Sequence, residues 1–293
     1  MIPFPAISPE IFSIDLWGHH LALRWYALAY IVGILIAWAL TARALKKPAL
    51  WPDDTPPMSR SQLEDLVTWC ILGVILGGRI GYVLFYNPSY FLENPLKIPQ
   101  VWDGGMAFHG GFLGVIVAGL IFTWRHHLPK LQCADAIALG VPWGLLLGRL
   151  ANFIKPELWG RPTDVPWAVV FPGAAAQDCP GVLTLCARHP SQLYEAGLEG
   201  LLLGLLLLWL AFGRRGFKTP GLISGTFFAG YGAARFFVEY FREADHQFIT
   251  PENPLGYVIH YHGYGISMGQ LLSLPMLLFG LGLILWARRR RAV

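Results

Sequence analysis

Charged residues are scarce in this sequence. Only 14% of its 293 residues are Asp, Glu, Lys or Arg, whereas 55% are hydrophobic. A soluble globular domain carries about a quarter charged residues, so this composition excludes an ordinary soluble domain. The net charge of +4 is modest and no basic arm is present, so we expect no nucleic acid partner. The composition instead indicates a polytopic membrane protein with a single membrane domain over residues 1–293.

Cysteine is also scarce, and the four cysteines form no metal-binding pattern. We therefore expect neither a metal nor another cofactor. Cys179 and Cys186 share one hydrophilic loop, where their spacing allows a disulfide but does not establish one. The first ten residues lack a basic n-region, so we expect no cleavable signal peptide and an uncleaved signal in the first apolar helix.

Seven apolar stretches are long enough to cross a hydrocarbon layer of about 30 Å, which needs roughly 20 helical residues. We predict transmembrane helices near 21–42, 66–86, 107–124, 132–151, 191–212, 221–240 and 266–287. Glycine recurs inside them, for example at Gly77 and Gly110. Small residues let helix backbones approach closely in lipid, so the helices should pack as a bundle. The predicted fold class is an all-α polytopic membrane protein.

The distribution of Lys and Arg predicts the orientation of these helices. Thirteen of the 22 basic residues lie in the connections that follow the first, third, fifth and seventh helices; five lie on the opposite side. Because positive residues concentrate in cytoplasmic loops, we predict the N-terminus outside and the C-terminus in the cytoplasm. The outer loops 87–106 and 152–190 then form a small extracytoplasmic cap.

The unusual polar residues of the helices converge on one side of this topology. Random placement would scatter them over both leaflets, so we predict a polar cavity that opens to the outer face. These residues are Arg24, Tyr26, Arg79, His109, Arg149, Asn152, His189, Tyr194, Glu195, Tyr231, Arg235, Glu239 and Arg242.

The densest polar segment, residues 148–160, contains Arg149, Asn152 and Glu157. An arginine inside a membrane segment is costly and is usually functional, although at a helix end it can simply snorkel to the headgroups. Arg235 at matching depth makes the snorkelling interpretation weaker. We predict that two arginines without an equal supply of nearby carboxylates bind an external anion, most naturally a phospholipid headgroup.

A second polar stripe lies on the sixth predicted helix, where Tyr231, Arg235, Glu239 and Arg242 are spaced by four, four and three residues. A self-contained Arg–Glu pair would explain the stripe as structural. The alternative is that Glu239 orients Arg235 toward a phosphate, because the planar guanidinium group suits that anion.

His109 and Arg79 each have two interpretations. His109 begins a helix after a glycine-rich segment, and is either structural or a base, since an imidazole takes a proton near neutral pH. Arg79 is either a third phosphate contact or a partner for Glu195 or Glu199. For Glu199 a buried pair or a protonated state is expected rather than direct catalysis.

Seven motifs occur in order along the chain, namely Arg24-Trp25-Tyr26, Gly78-Arg79-Ile80-Gly81-Tyr82, Trp102 to Gly111, Gly148 to Gly160, Arg188 to Glu195, Tyr231 to Glu239 and Ile266 to Gln270. Through these motifs the chain resembles the bacterial phosphatidylglycerol–prolipoprotein diacylglyceryl transferases over nearly its whole length. It departs from the family's pattern at Arg24, where histidine is common, and at Lys155-Pro156, where Asn-Gly is usual. Proline excludes the positive φ that glycine permits, so the second departure puts the turn before Glu157 in doubt.

The resemblance implies transfer of diacylglycerol from phosphatidylglycerol to the lipobox cysteine of a prolipoprotein signal peptide, with release of glycerol phosphate. It also implies seven transmembrane helices in the bacterial inner membrane and an active site toward the periplasm. The positions that it implies to be functional are Tyr26, His109, Arg149, Asn152, Glu157, Gly160, Arg235 and Glu239.

On this basis we predict that His109 accepts the thiol proton, because the thiolate is the nucleophile. Arg149 and Arg235 would hold the phosphate and stabilise the departing charge. Glu239 would fix Arg235, and Asn152 and Tyr26 would position phosphate or glycerol oxygens. Further substrate-binding candidates are Arg79, Glu157, Gly160, Tyr231 and Arg242.

Two other functions stay open. A phospholipid-binding transporter without chemistry would also use buried arginines, but it predicts polar residues in the inner halves of the helices, which are nearly all apolar apart from Glu199. A membrane acyltransferase or protease needs a Ser/His or His/Asp pair, for which Ser191 beside His189 is a weak candidate.

Overall fold

The computed structural model describes residues 1–16, 19–86, 88–179, 184–244, 248–250, 253–261 and 264–291. The chain forms two compact units, Thr41–Ala134 and a larger one that combines Met1–Leu40 with Asp135–Val293. Helix dominates both units. The helices are α1 (Trp25–Leu45), α2 (Arg60–Phe85), α3 (Pro88–Glu93), α4 (Phe108–Arg125), α5 (Lys130–Ala138), α6 (Val141–Ile154), α7 (Ala174–Gln177), α8 (Ser191–Glu195), α9 (Leu203–Leu208), α10 (Leu222–Val238) and α11 (Met268–Arg291).

Short strands accompany the helices in this mostly helical chain. Among the described residues they form three two-stranded sheets. The strands are β1 (Ile2–Pro3), β2 (Glu10–Leu16), β3 (His19–Arg24), β4 (Val169–Val170), β5 (Ile259–Tyr261) and β6 (Tyr264–Ile266).

The first and last helices each begin a few residues later in the structure than predicted from the sequence. Residues 21–24 pair with β2 in an antiparallel hairpin, so α1 starts at Trp25 instead of residue 21. Likewise Ile266 belongs to β6, and α11 starts at Met268. In both cases the apolar run continues from a strand into a helix, and hydrophobicity alone cannot locate the change of backbone geometry.

Within the part of the chain that the structure describes, five segments are long and apolar enough to cross a membrane. Helices α4 and α10 are apolar but shorter. The described residues therefore form a multi-pass, mostly helical membrane protein, and a count of seven crossings stays a prediction. The five segments are Trp25–Leu45, Arg60–Phe85, Lys130–Ile154, Ser191–Gly213 and Met268–Arg290.

In the smaller unit, α2 and α4 pack through glycines, as predicted. A Cβ at Gly77 would meet the carbonyl oxygen of Gly110, and a Cβ at Gly114 would meet that of Gly73. Backbones approach this closely only where neither helix carries a side chain at the crossing. The predicted close packing of these helices is therefore confirmed.

In the larger unit, Asp135 caps the start of α10. Its carboxylate accepts hydrogen bonds from the Gly221 N–H at 2.7 Å, the Ser224 N–H at 2.8 Å and the Ser224 hydroxyl at 2.7 Å. The first backbone N–H groups of a helix have no partner inside it, so a buried carboxylate here stabilises the helix. This contact fixes one end of the helix that carries Arg235.

The chain from α8 to Gly213 is one continuous helical segment with two π-helical parts, Ala196–Leu202 and Trp209–Gly213. Packing against α6 is close, since a Cβ at Gly200 would lie 2.6 Å from Cβ of Leu146. π-Helical turns are uncommon and occur frequently at functional sites. Glu199 lies in the first of them.

The two predicted cap loops contain short elements of their own. Loop 87–106 contains α3; Asn87 lies outside the described residues. In loop 152–190, β4 pairs in parallel with β1, and a disulfide joins Cys179 to Cys186. Residues 180–183 of this loop also lie outside the described part of the chain. The disulfide that the sequence left open is therefore present.

Candidate active site

Glu195 lies at the centre of a buried ionic cluster in the larger unit. Its Oε2 lies 2.8 Å from Nε of Arg149, and its Oε1 lies 2.6 Å from Nη1 of Arg235. Glu195 is fully buried, whereas the side chains of Arg149 and Arg235 are 21% and 13% exposed. One carboxylate therefore joins the two arginines that were predicted to bind phosphate, one from α6 and one from α10.

Three further charged residues complete this cluster. Glu239 Oε2 lies 2.9 Å from Nη2 of Arg235, one helical turn away. Arg242 has looser contacts, with Glu239 at 3.9 Å and Glu195 at 4.0 Å. Glu199 lies 3.7 Å from Arg149. The predicted contact between Glu239 and Arg235 is confirmed.

The number of glutamates beside the arginines contradicts the reason given above for expecting an anionic ligand. Arg149 and Arg235 were expected to lack an equal supply of carboxylates, and this is wrong. Within the described residues the cluster contains three arginines and three glutamates, because Glu195 and Glu199 approach from another helix. Each guanidinium group still carries five N–H groups, more than these contacts use.

A second polar group surrounds Asn152, at the end of α6. Its Nδ2 donates hydrogen bonds to Oη of Tyr26 at 2.8 Å and to Oε1 of Glu157 at 2.9 Å. Oε2 of Glu157 lies 2.7 Å from Nζ of Lys155. The structure thus brings together three predicted site residues, Tyr26, Asn152 and Glu157, with Lys155 as an unpredicted fourth.

The turn before Glu157 forms despite Pro156. Helix α6 ends at Ile154, and the Glu157 N–H donates to the Asn152 carbonyl at 3.2 Å. The positive φ of this turn, 59°, falls on Leu158 instead of Pro156. The departure from the family's pattern therefore does not remove the turn.

Gly160 connects this segment to Arg242. Its N–H donates to the His189 carbonyl at 2.8 Å, and Gly160 forms an isolated antiparallel bridge with Arg242. A Cβ at this position would collide with the carbonyl oxygen of Phe241. Only glycine allows this approach, so Gly160 has a structural reason to lie beside a charged site residue.

The buried Arg188 and the partly exposed Glu243 form an ion pair that the sequence did not predict. Nη1 of Arg188 lies 2.8 Å from Oε1 of Glu243, whose Oε2 accepts a hydrogen bond from Trp159 Nε1 at 2.9 Å. Nε of Arg188 donates to the Ala176 carbonyl in α7. These residues lie far apart in sequence, so no local pattern indicates the pair.

Arg79 holds a loop in the smaller unit. It is buried and donates hydrogen bonds to the carbonyls of Lys97 at 2.7 Å, Ile98 at 2.7 Å, Gly104 at 2.5 Å and Gly105 at 3.2 Å. Four of its five N–H groups are used in this way. The geometry favours a role in positioning this loop, and the predicted contact with substrate stays a prediction.

The other predicted residues have simpler surroundings. His109 is exposed in the first turn of α4, and its role as a base stays a prediction. Tyr231 lies one turn before Arg235, and its ring stacks on Phe227 with centroids 6.0 Å apart. Its predicted contact with substrate also stays a prediction.

His189 and Ser191 do not form a hydrolytic pair. Nδ1 of His189 contacts Oη of Tyr194 at 3.0 Å, and the Ser191 hydroxyl donates to the Leu158 carbonyl at 3.0 Å. Burial lowers the pKa of His189. These contacts support the structural interpretation of His189 and remove the weak argument for an acyltransferase or protease.

The fold and the site together define a multi-pass helical membrane protein with a buried arginine–glutamate cluster. The family model described as prolipoprotein diacylglyceryl transferase matches residues 12–286. The chain therefore belongs to the prolipoprotein diacylglyceryl transferase family, and the resemblance seen in its motifs is confirmed.

Individual relatives agree with this assignment. The chain is 66% identical over 287 residues to a phosphatidylglycerol–prolipoprotein diacylglyceryl transferase of Roseobacter denitrificans, covering 98% of both chains. It is 63% identical to the protein of that name from Ruegeria pomeroyi, again covering 98% of both. Identity to the one from Rhizobium leguminosarum bv. trifolii is 47%, covering 100% of this chain and 96% of the relative.

Proposed function

We propose that this protein transfers the diacylglyceryl group of phosphatidylglycerol to the cysteine thiol of a prolipoprotein lipobox. The products are a thioether-linked lipid on the prolipoprotein and glycerol phosphate. The relatives' names specify both substrates. The observation that carries the proposal is the cluster in which Arg149 and Arg235 share Glu195, because it holds two guanidinium forks together at one site.

The reaction is a displacement at the glycerol carbon that bears the phosphate ester. The thiol loses its proton to His109, and the sulfur forms a bond to this carbon. The carbon–oxygen bond breaks, and its electron pair remains on the departing phosphate oxygen. Arg149 and Arg235 stabilise the charge that develops on glycerol phosphate, as preorganised cations do at any developing anion. His109 later releases the proton to solvent.

The remaining residues position these groups. Glu195 and Glu239 hold the guanidinium planes through contacts of 2.6–2.9 Å. Asn152 and Tyr26 bind phosphate or glycerol oxygens, and Glu157 orients the Asn152 amide through its hydrogen bond. Arg79, Gly160, Tyr231 and Arg242 would act as further substrate-binding positions, with Gly160 keeping the backbone of Arg242 in place.

The proposed topology has seven crossings, with α4 and α10 as the shorter ones. The N-terminus lies outside, the C-terminus lies in the cytoplasm, and the cluster faces the periplasmic side of the inner membrane. Two features support this arrangement, namely the thirteen basic residues on one side and the polar helix ends on the other.

Mass spectrometry of a lipobox peptide tests the proposed reaction. The purified protein is incubated with the peptide and vesicles of phosphatidylglycerol, and the peptide should gain the mass of one diacylglyceryl group. A peptide with serine in place of the lipobox cysteine, and vesicles of phosphatidylcholine, serve as controls. Binding of phosphatidylglycerol with an unmodified peptide would contradict the proposal and favour a lipid-binding transporter.

A further inference from the structure

The charge of the arginine–glutamate cluster does not favour an anionic ligand as it stands. Arg149, Arg235 and Arg242 are balanced by Glu195, Glu199 and Glu239 among the described residues. A phosphodiester headgroup brings one more negative charge. Burying an uncompensated charge is costly, and proteins usually avoid it by moving a proton. Proton uptake is therefore expected at one of these three carboxylates.

Glu199 is the carboxylate with the weakest contacts. It is fully buried, and neither of its oxygens has a hydrogen-bond partner among the described residues. Its nearest guanidinium nitrogen, on Arg149, lies at 3.7 Å. By contrast, Glu195 and Glu239 have guanidinium nitrogens at 2.8 Å and 2.9 Å. A carboxylate that accepts no hydrogen bonds as an anion loses the least stabilising free energy when it takes up a proton.

The neighbours of Glu199 make its protonation sensitive to an incoming anion. Glu195 lies on the same helix and adds a negative charge. Arg149 approaches from α6, and α10 contributes Tyr231, Arg235 and Glu239, followed by Arg242. A phosphate that draws the arginines toward itself removes the positive charge that keeps Glu199 ionised. The π-helical turn around Glu199 is a second feature that is common at functional sites.

We propose that Glu199 takes up a proton from solvent when phosphatidylglycerol binds, so that headgroup binding and protonation are coupled. The proton adds to one carboxylate oxygen and no other bond changes. The cluster then has one spare positive charge, which matches the phosphodiester. This inference rests on the proposed function, because it requires the headgroup to bind at Arg149 and Arg235. Glu199 acts as a positioning residue that touches no reacting atom.

Isothermal titration calorimetry tests the coupling in the full-length protein in detergent. Short-chain phosphatidylglycerol is titrated at constant pH in buffers of different ionisation enthalpy. The dependence of the measured heat on that enthalpy gives the protons taken up per lipid bound, with one proton as the upper limit. Net uptake is expected for the wild type, and binding without uptake would overturn the inference. A complete lack of phosphatidylglycerol binding would instead contradict the proposed function.

Substitutions at Glu199 test whether this residue is the group that takes up the proton. Glu199→Gln mimics the protonated state, so it should bind phosphatidylglycerol and lose the uptake. Glu199→Asp keeps a titratable carboxyl and should retain it. The matched control is Glu64→Gln, which changes the same group in an exposed pair with Arg60 at 3.3 Å and should behave as wild type. Undiminished uptake in Glu199→Gln would overturn the assignment.

A measurement on the wild type alone keeps the inference testable if the variants do not fold. Uptake of one proton on binding makes the affinity for phosphatidylglycerol depend on pH. Because the bound state holds the extra proton, the affinity should fall as pH rises, by up to about tenfold per pH unit. An affinity that is constant with pH across the neutral and alkaline range would contradict the coupling.

Discussion

At the scale of single residues, Glu195 contacts both of the arginines that are proposed to bind phosphate. It contacts Arg149 at 2.8 Å and Arg235 at 2.6 Å, from a fully buried position. A carboxylate shared in this way fixes two planar guanidinium groups relative to one another. Such preorganisation is what allows cations to stabilise a leaving group without moving during the reaction.

Replacing Glu195 by Gln should therefore reduce activity strongly. The amide cannot neutralise the arginines, and loss of one partner in a buried ion pair costs about 3–5 kcal/mol. We expect kcat for peptide lipidation to fall by about 100-fold or more. The exposed Glu64→Gln serves as the control, since its partner Arg60 lies on the surface of α2. Wild-type kcat in a folded Glu195→Gln protein would contradict this role.

Replacing His109 by Ala tests the proposed base. A positioned general base contributes about 10²–10⁴-fold, so lipidation of the peptide should fall by a factor in that range. The fall should be smaller at high pH, where the thiol ionises without help. His126, near the other end of α4, provides the control as His126→Ala. Full activity of His109→Ala at neutral pH would remove His109 as the base.

The sequence identifies the arginines of the site and one partner, Glu239, but not the partners that another helix contributes. Arg149 and Arg235 are recognisable because charged residues inside apolar helices are rare. Glu195 was predicted to line the polar cavity and Glu199 to be paired or protonated, but Arg79 was the one partner suggested for either of them. Pairing between helices depends on three-dimensional packing, which the sequence does not show. The same limit applies to Arg188 and Glu243, which lie 2.8 Å apart but are widely separated in sequence.

At the scale of elements, the cap on α10 links a remote residue to the site. Asp135 accepts three hydrogen bonds at the start of this helix, while Arg235 lies near its end. A buried carboxylate with three good donors is worth more than an exposed cap, because its partners cannot turn to water.

Asp135→Ala should destabilise the protein. It leaves two backbone N–H groups and one hydroxyl buried without an acceptor, at a cost of about 2–3 kcal/mol. We expect the thermal unfolding midpoint in detergent to fall by several degrees, on the order of 2–4 °C per kcal/mol. Asp65→Ala, at an exposed position of α2, is the control and should leave the midpoint unchanged. Equal midpoints for the two variants would contradict the capping role.

The helices were predictable where an apolar stretch is long enough to cross the membrane. The five long spans and the glycine contact between α2 and α4 follow from sequence because lipid imposes one solution on them. The β2–β3 hairpin was missed, since residues 21–24 are mostly apolar and continue directly into α1. The turn at Leu158 was also missed, because a leucine with positive φ is rare and depends on its tertiary surroundings.

At the scale of the whole molecule, the distribution of Lys and Arg predicts the orientation of the protein in the membrane. Fusion of a reporter to the C-terminus should show it in the cytoplasm, where green fluorescent protein fluoresces and alkaline phosphatase is inactive. The run from Arg288 to Arg291 supplies positive charge that should retain this end inside. Active alkaline phosphatase at the C-terminus would reverse the proposed topology and place the cluster on the cytoplasmic side.

Arg149 and Arg235, from different helices, are proposed to bind one headgroup together, and a double-mutant cycle measures whether they do so. Binding of short-chain phosphatidylglycerol is measured for wild type, Arg149→Ala, Arg235→Ala and the double variant. If both arginines hold one phosphate, each single change should remove most of the binding and the double change little more. The coupling energy should then exceed about 1 kcal/mol. Additive effects, or undiminished binding in either single variant, would contradict the proposal that both arginines bind one phosphate.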